Sequence, residues 1–289
     1  MSENHIELYL DLMKKTLSFS LWEEPGVPLE LYSYKKPFVK RLLLNILSWL
    51  LIKANLRAMR IKKHDSKKKN EGMIWPSQAH TMIGCKRLDN IQFCVESVIK
   101  DNIRGDLIEA GVWRGGACIF MRAILKAYEI KDRRVFVADS FEGLPKPDEV
   151  KYPNDKDDTH YRQIPLIVSK QEVEDNFRKY DLLDEQVIFL KGWFKDTLPA
   201  VQSEEISVMR IDGDMYQSTI EALMSLYPKL QVGGYCIVDD YALAGCKQAV
   251  DDFRRSNKID ENIQQIDWTG IYWRKEKMVL NRNGNINFN

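Results

Sequence analysis

Short apolar runs rich in β-branched and aromatic residues alternate with segments of helical periodicity through most of this 289-residue chain. Runs of this kind, bounded by turn signals, are typical of strands buried on both faces of a sheet. The pattern predicts strands at Asp106–Glu109, Arg134–Asp139, Val187–Lys191, Ser207–Asp212 and Tyr235–Val238. It predicts helices at about Ala117–Tyr128, Lys170–Tyr180, Ser218–Leu230 and Cys246–Ser256. The alternation indicates an α/β fold with a mainly parallel sheet and right-handed crossovers.

Two further segments carry signals of a different kind. The stretch NIQQIDWTGIYWRK predicts two strands joined by a tight connection at Trp268–Gly270, which would form an antiparallel edge of the sheet. The segment Lys146–Pro165 is polar, contains three prolines and has no clear periodicity. Such a long loop indicates either a lid over a binding site or a disordered surface loop.

The stretch Leu42–Leu56 is largely apolar and has basic runs on both sides. It is too short for a transmembrane helix and is interrupted by Asn45 and Ser48. Basic flanks and Trp49 favour an interfacial membrane contact through residues 38–64. The alternative is a helix that is buried in a dimer interface or packed against the domain.

The N-terminal region differs in composition from the rest of the chain. The basic run Lys62–Asn70 predicts a flexible linker. We therefore divide the chain into a helical N-terminal extension, residues 1–72, and an α/β domain, residues 73–289. We expect a homodimer or a higher homo-oligomer.

Composition narrows the class of protein. Lys and Arg number 43 against 42 Asp and Glu, which argues against a general nucleic-acid partner. The five cysteines form no CxxC pair and their number is odd, so neither a disulfide framework nor a structural zinc site is expected. The opening MSENHIE lacks the apolar core of a signal peptide. We expect a cytoplasmic protein, at the inner face of the membrane if residues 38–64 contact lipid.

Two aspartate clusters follow predicted strands. ISVMRIDGDMY carries Asp212 and Asp214, and YCIVDDY carries Asp239 and Asp240. The carboxyl ends of neighbouring parallel strands meet in one crevice, so these four groups should converge. Uncompensated carboxylates would raise one another's pKa, and a hard divalent cation would remove that penalty. The alternative is that these acids cap the helices that follow.

A third strand end carries a glycine loop. Gly111, Gly115 and Gly116 follow Glu109 and would let the backbone approach a ligand closely. Their spacing is not the dinucleotide fingerprint, and Glu109 would repel a pyrophosphate but attract an ammonium group. Asp139, at the end of the next strand, is placed to accept hydrogen bonds from ribose hydroxyls. S-adenosylmethionine combines adenosine with a cationic amino-acid tail and fits this pattern.

Long motifs resemble the macrocin O-methyltransferase family, whose members are S-adenosylmethionine- and metal-dependent sugar methyltransferases. They run from His80 to about Lys275 and include AHTMIGCKRLDNIQ, GDLIEAGVWRGGACIFMRAILKAY, VFVADSFEGLP, FLKGWFKDTLP, RIDGDMYQST, GGYCIVDDY and IDWTGIYWRK. The short start at Glu7–Leu17 is also similar to the family. Gly26–Asn70 is the interval in which the chain departs from it.

The resemblance implies a class I methyltransferase fold and a set of site residues. It assigns Mg²⁺ or another divalent cation to Asp212, Asp239 and Asp240, and the catalytic base to Asp214. Its cofactor-binding residues here are Met82, Glu109, Gly111, Gly115, Gly116, Asp139, Ser140, Gly192, Trp193 and Asp212. The implied acceptors are sugar hydroxyls of a glycan or a glycosylated metabolite.

Two other functions remain open at this point. A catechol-type O-methyltransferase would chelate adjacent phenolic hydroxyls with the same acids. A non-catalytic, membrane-associated assembly protein would keep the fold alone, although it has no need for mutually repelling carboxylates. His80 and His160 are further candidates for the site, and each also fits a structural or solvent-exposed role.

Overall fold

The computed structural model describes residues 3–22, 27–33, 36–60 and 65–277, and the predicted alternation of strands and helices occupies the last of these ranges. The helices of these residues are α1 (Glu3–Leu17), α2 (Leu29–Ser33), α3 (Phe38–Lys53), α4 (Ser66–Asn70), α5 (Cys85–Lys100), α6 (Gly116–Ala127), α7 (Lys170–Lys179), α8 (Phe194–Thr197), α9 (Tyr216–Leu226) and α10 (Ala244–Ser256). The strands are β1 (Val27–Pro28), β2 (Met59–Arg60), β3 (Asp106–Ala110), β4 (Val135–Asp139), β5 (Val187–Lys191), β6 (Ile206–Ile211), β7 (Leu230–Val238), β8 (Gln264–Gln265) and β9 (Ile271–Arg274). All five predicted strands are therefore present.

A seven-stranded sheet has the order β5-β4-β3-β6-β7-β9-β8. Strands β3 to β7 are parallel, whereas β9 pairs antiparallel with both β7 and β8. The predicted parallel sheet with an antiparallel edge hairpin is thus confirmed. The chain enters the sheet at β3 and runs outward through β4 and β5. It then crosses back to β6, which lies on the other side of β3. The switch in direction lies between β3 and β6, where open α/β sheets bind ligands.

Two hydrophobic layers cover the sheet. One contains apolar residues of α1, α5, α6 and α7, and the other contains those of α9 and α10. Leu10 and Leu17 of α1 are fully buried in the first layer. Helix α1 therefore shares the core of the α/β domain, while the predicted division at residue 72 stays a prediction.

The predicted linker is structured in its described part. Helix α4 begins after Asp65, whose carboxylate accepts hydrogen bonds from the backbone of Lys67 and Lys68. Lys69 Nζ donates to the Phe19 carbonyl at 2.7 Å. The prediction of a flexible linker is wrong for residues 66–70, because this N-cap and this contact to the turn after α1 fix the helix. Residues 61–64, which belong to the predicted membrane-contact segment, lie outside the described residues.

Strands β1 and β2 form a separate two-stranded ladder beside α2, which packs against α3. Only Ser48 of α3 is buried, so this helix does not enter either hydrophobic layer. Among the residues that the structure describes, no helix has the length and apolar character needed to cross a membrane.

Candidate active site

A cavity of about 650 Å³ opens at the carboxyl ends of the parallel strands. Its volume falls in the range of small-molecule sites. The predicted site residues that line it are Met82, Glu109, Gly111, Asp139, Ser140, Gly192, Trp193, Asp212, Asp214, Asp239 and Asp240. The cavity therefore joins the predicted cofactor residues with the aspartate clusters.

Gly115 and Gly116 do not line this cavity. A Cβ atom at Gly115 would lie 2.6 Å from Val173 Cγ1, and one at Gly116 would lie 2.5 Å from the His80 carbonyl oxygen. Protein atoms, rather than a ligand, occupy the space where their side chains would be. Their small size permits close packing of the start of α6, and their predicted role in ligand approach stays a prediction.

Gly111 lies at the switch point and has a different reason to be glycine. Its φ is +91°, and a Cβ atom there would lie 1.9 Å from the Asp212 carbonyl oxygen. The turns after β3 and β6 approach each other this closely only without a side chain at this position. Gly111 consequently brings the glycine loop and the first aspartate cluster together at the cavity.

Asp139 is held by the backbone of the two loops around it. One carboxylate oxygen accepts from Val112 N at 2.8 Å, and the other accepts from Phe141 N at 2.7 Å. Burial raises the pKa of Asp139, and these backbone hydrogen bonds oppose the rise. The Trp113 backbone and, at 3.4 Å, the Ser140 hydroxyl also donate to this carboxylate, so hydroxyls of a ligand would compete with protein donors for it.

The aspartate clusters meet as predicted. Asp212, Asp239 and Asp240 each offer a carboxylate oxygen, and these atoms lie within 4.8 Å of one another. Asp214 lies beside them, and its backbone N–H donates to Asp240 Oδ2 at 3.2 Å. Strand β6 ends at Ile211, so the chain has left the strand before it reaches Asp214.

Two buried arginines offset part of the negative charge of this cluster. The sequence predicted neither of them. Arg210 contacts Glu109, Asp212 and Asp239, and its side chain is 1 % exposed. Arg87 of α5 contacts the other oxygen of Asp239 and also Asp267. The sequence interpretation assumed four carboxylates with no cationic side chain beside them, and this assumption is wrong. The acids of the region still outnumber the two guanidinium groups, since there are six of them: Glu109, Asp212, Asp214, Asp239, Asp240 and Asp267.

The pKa values of the acids in this cluster are shifted from their usual range. Burial, followed by repulsion from neighbouring aspartates, raises the pKa of Asp212 and raises that of Asp240 well above its usual range. Burial and then Asp212 raise the pKa of Asp214 to about 7. Burial lowers the pKa of Arg210, but its acidic neighbours Asp239, Glu109 and Asp212 outweigh that effect and hold the pKa well above its usual range.

Glu109 already has a cationic partner. One carboxylate oxygen contacts the Arg210 guanidinium, and the other lies 2.8 Å from Cys118 Sγ. Burial raises the pKa of Glu109 to about 7, while Arg210 opposes the rise. Cys118, which is fully buried in the first hydrophobic layer, thus touches a site residue. The prediction that Glu109 attracts an ammonium group stays a prediction.

The segment Lys146–Pro165 lies along the cavity and is structured. Lys146, Asp148, His160 and Gln163 line the cavity, and the segment contains two 3₁₀ turns and enters a third. Asp155, which is 2 % exposed, accepts hydrogen bonds from the backbone of Tyr216 and Gln217 at 2.7 and 2.8 Å. Of the two interpretations, the structure supports a cover over the cavity rather than a disordered loop.

Further side chains after these strands divide between the cavity wall and the scaffold. Trp193 and Phe194 line the cavity, whereas Tyr241 does not, and the Tyr241 hydroxyl lies 2.8 Å from Asp251. His80 is also outside the lining, and its Nδ1 lies 2.8 Å from the Tyr180 hydroxyl. Burial lowers the pKa of His80 to about 4, so it is a neutral structural residue at pH 7.

The strand order, the glycine loop after β3 and the acid after β4 define a class I methyltransferase, the fold class of S-adenosylmethionine-dependent methyltransferases. The family model described as macrocin-O-methyltransferase (TylF) matches residues 6–275. The chain belongs to this family, and its activity is that of an S-adenosylmethionine-dependent O-methyltransferase. The match spans Gly26–Asn70, so the family relationship covers more of the chain than the sequence motifs indicated.

Individual relatives agree with this assignment. The chain is 47 % identical over 272 residues to demethyldecarbamoylnovobiocin O-methyltransferase of Streptomyces niveus, covering 93 % of this chain and 94 % of that protein. It is 43 % identical over 275 residues to 8-demethyl-8-(2,3-dimethoxy-alpha-L-rhamnosyl)-tetracenomycin-C 4'-O-methyltransferase of Streptomyces olivaceus, covering 95 % of each. The solved structure of the O-methyltransferase NovP is 46 % identical and superimposes with a TM-score of 0.80, covering 94 % of this chain and all of that one.

Proposed function

We propose that this enzyme transfers a methyl group from S-adenosylmethionine to a sugar hydroxyl, with a divalent cation such as Mg²⁺ at Asp212, Asp239 and Asp240. The observation that carries the proposal is the convergence of these acids and Asp214 on the cavity that Asp139 also lines. The relatives support a sugar acceptor, since one of them is named for a 4'-O-methyl transfer on a rhamnosyl-bearing tetracenomycin.

The acid cluster has the donor chemistry of a hard-cation site. Three carboxylates offer oxygen atoms within 4.8 Å of one another, and Mg²⁺ prefers oxygen ligands. Both oxygens of Asp239 also contact arginines, but each oxygen keeps a further lone pair. Added positive charge would favour the ionised forms of Asp212 and Asp240, whose pKa burial raises. A bound cation would lower the pKa of an acceptor hydroxyl there and fix its position.

The cofactor residues surround the same cavity from the side of β3 and β4. Asp139 would accept the ribose hydroxyls, and Glu109 would face the cationic amino-acid tail. Met82, Ser140, Gly192 and Trp193 line the remaining wall. S-adenosylmethionine supplies a methyl group on a positively charged sulfur, so the protein needs mainly to align the acceptor and to exclude water.

Asp214 is the residue that we assign to proton removal. It lines the cavity beside Asp240 and does not belong to the group of three acids that share a common centre. Its raised pKa of about 7 suits a general base that works near neutral pH. The cover formed by residues 146–165 would shield this proton transfer from bulk water.

An acceptor screen tests the proposal. The full-length enzyme is incubated with methyl-labelled S-adenosylmethionine, Mg²⁺ and three acceptor classes: glycosylated metabolites, nucleotide sugars and catechols. We expect label on a sugar hydroxyl in at least one of the first two classes, and loss of transfer in EDTA. Labelling of catechols alone would favour the phenolic alternative. The absence of both transfer and S-adenosylmethionine binding would overturn the assigned activity.

A further inference from the structure

Helix α3 presents apolar side chains to solvent around most of its circumference. Phe38 is 70 % exposed, Leu43 is 63 % and Trp49 is 54 %. The least exposed positions, Leu44, Ser48 and Leu51, form one narrow strip along the helix. An exposed apolar surface of this extent is typical of an interaction site rather than of ordinary surface.

Hydrogen bonds attach α3 to the neighbouring helix α2. Ser48 Oγ donates to Glu30 Oε2 at 3.0 Å, and Ser33 Oγ donates to Asn45 Oδ1 at 2.6 Å. Arg57 Nε donates to the other oxygen of Glu30 at 2.8 Å. The two polar residues that interrupt the apolar run therefore face α2, which leaves the broad apolar face directed away from the protein.

The segment that contains α2 and α3 has an excess of basic side chains. Residues 27–33 and 36–60 contain six basic side chains and one acidic side chain, Glu30, which already pairs with Arg57. Lys40 and Arg41 lie on either side of the inward strip, at the two edges of the apolar face. Lys53, the last residue of the helix, lies on the outward side opposite the inward strip and extends over the Trp49 ring, with its Nζ 3.9 Å from the ring centroid. Basic residues at the borders of an apolar face with an exposed Trp are typical of helices that lie in a bilayer interface.

From these observations we infer that α3 docks the enzyme onto an anionic lipid bilayer, with its apolar face in the interface and Lys40 and Arg41 at the headgroups. A 16-residue helix is about 24 Å long, so α3 would lie in the membrane plane rather than span it. A second copy of the chain would fit this face less well, because its own α3 would bring the same basic side chains against Lys40 and Arg41. Anionic lipid complements them.

Vesicle cosedimentation of the full-length protein tests this inference. The vesicles are pure phosphatidylcholine, or phosphatidylcholine with about one-third phosphatidylglycerol. We expect at least about tenfold stronger binding to the anionic vesicles, and a loss of binding as salt rises. Leu43→Glu/Leu47→Glu should weaken binding roughly tenfold or more, because it places two charges in the apolar face. Lys40→Glu/Arg41→Glu keeps that face and should weaken binding to anionic vesicles by a similar factor.

The matched control is Leu8→Glu/Leu12→Glu on α1, which changes another pair of exposed leucines four residues apart. It should bind vesicles within about twofold of wild type. Oligomeric mass in lipid-free solution is measured for every variant, with circular dichroism as the check on folding. Equal binding of wild type and Leu43→Glu/Leu47→Glu, or no binding to anionic vesicles, would overturn the inference. So would a fall in oligomeric mass in that variant alone, which would assign the face to a second copy.

Discussion

Asp214 owes its position to an uncommon backbone conformation. Its φ is +55°, in the left-handed region that Asp and Asn tolerate better than most residues. Gly213, the residue before it, is not in this region, so the positive φ of the turn falls on Asp214 itself. A Cβ atom at Gly213 would lie 3.1 Å from Ser218 Cβ, so this glycine instead allows close packing on α9. The turn separates Asp214 from Asp212 and leaves it at the cavity wall.

Asp214→Asn should separate catalysis from binding. Asn keeps the shape and the tolerance of positive φ but accepts no proton, so turnover should fall by about 100-fold or more. S-adenosylmethionine and Mg²⁺ affinities, measured by calorimetry, should stay close to wild type. The base must be ionised, so kcat/KM of wild type should fall as pH drops below an apparent pKa no higher than about 7. Near-normal turnover in the variant would assign deprotonation to another group, with His160 the next to test.

Arg210 is the residue whose loss should affect both halves of the site. Arg210→Met leaves Glu109, Asp212 and Asp239 without their shared cation, and loss of one partner from a buried ion pair costs about 3–5 kcal/mol. We expect a lower Tm and weaker S-adenosylmethionine binding, with added Mg²⁺ raising the Tm of the variant more than that of wild type.

Arg122→Met is the matched control for Arg210→Met. Arg122 is also nearly buried and pairs with one acid, Asp184, away from the cavity. This control should lose stability without a change in cofactor affinity. If Arg210→Met binds S-adenosylmethionine as wild type does, the proposed link between the two halves of the site is wrong.

The acids of the site could be predicted from sequence and the arginines could not, for a physical reason. Asp139 ends strand β4, Asp212 follows β6, and Asp239 and Asp240 follow β7, and the ends of parallel strands converge by topology alone. Arg210 had one available signal, a lone charge inside an apolar strand run. Arg87 had none, since its partners lie 152 and 180 residues further along the chain.

At the scale of elements, the cover over the cavity is joined to the helix that follows the first aspartate cluster. Asp155 accepts hydrogen bonds from the first two backbone N–H groups of α9, and so caps that helix from a distant part of the chain. Trp113 Nε1 donates to the Pro165 carbonyl at 2.9 Å, which ties the far end of the segment to the glycine loop. The sequence predicted the position of this segment but not its 3₁₀ turns, because its contacts are non-local and it has no periodicity.

Asp155→Ala should loosen this cover without touching a reacting atom. Loss of a capping carboxylate costs about 1–2 kcal/mol, so the Tm should fall modestly. The KM for the acceptor should rise several-fold, because the cover would close over the cavity less often. Asp157→Ala, at a positive-φ position two residues further on, serves as the control within the same segment. Unchanged KM in Asp155→Ala, with the expected fall in Tm, would show that the cap is structural only.

At the scale of the whole molecule, the sequence predicted the sheet and the cavity more fully than the N-terminal region. Apolar runs in the sequence indicate buried parallel strands, and the carboxyl ends of those strands show where a ligand binds. Helix α1 joins the core through residues such as Leu10 and Leu17, while α3 leaves most of its apolar surface outside. Sequence alone offered both membrane contact and burial for α3, because an apolar pattern does not show which surface covers it.

We propose that Asp212, Asp239 and Asp240 hold a divalent cation and that Asp214 beside them is a separate base. Calorimetric titration of Mg²⁺ into the full-length protein, saturated with S-adenosylhomocysteine at pH 7.5, tests it without knowledge of the acceptor. We expect one Mg²⁺ site in wild type and in Asp214→Asn, and loss of that site in Asp240→Asn. Failure of the wild-type protein to bind Mg²⁺, or equal binding by Asp240→Asn, would contradict it.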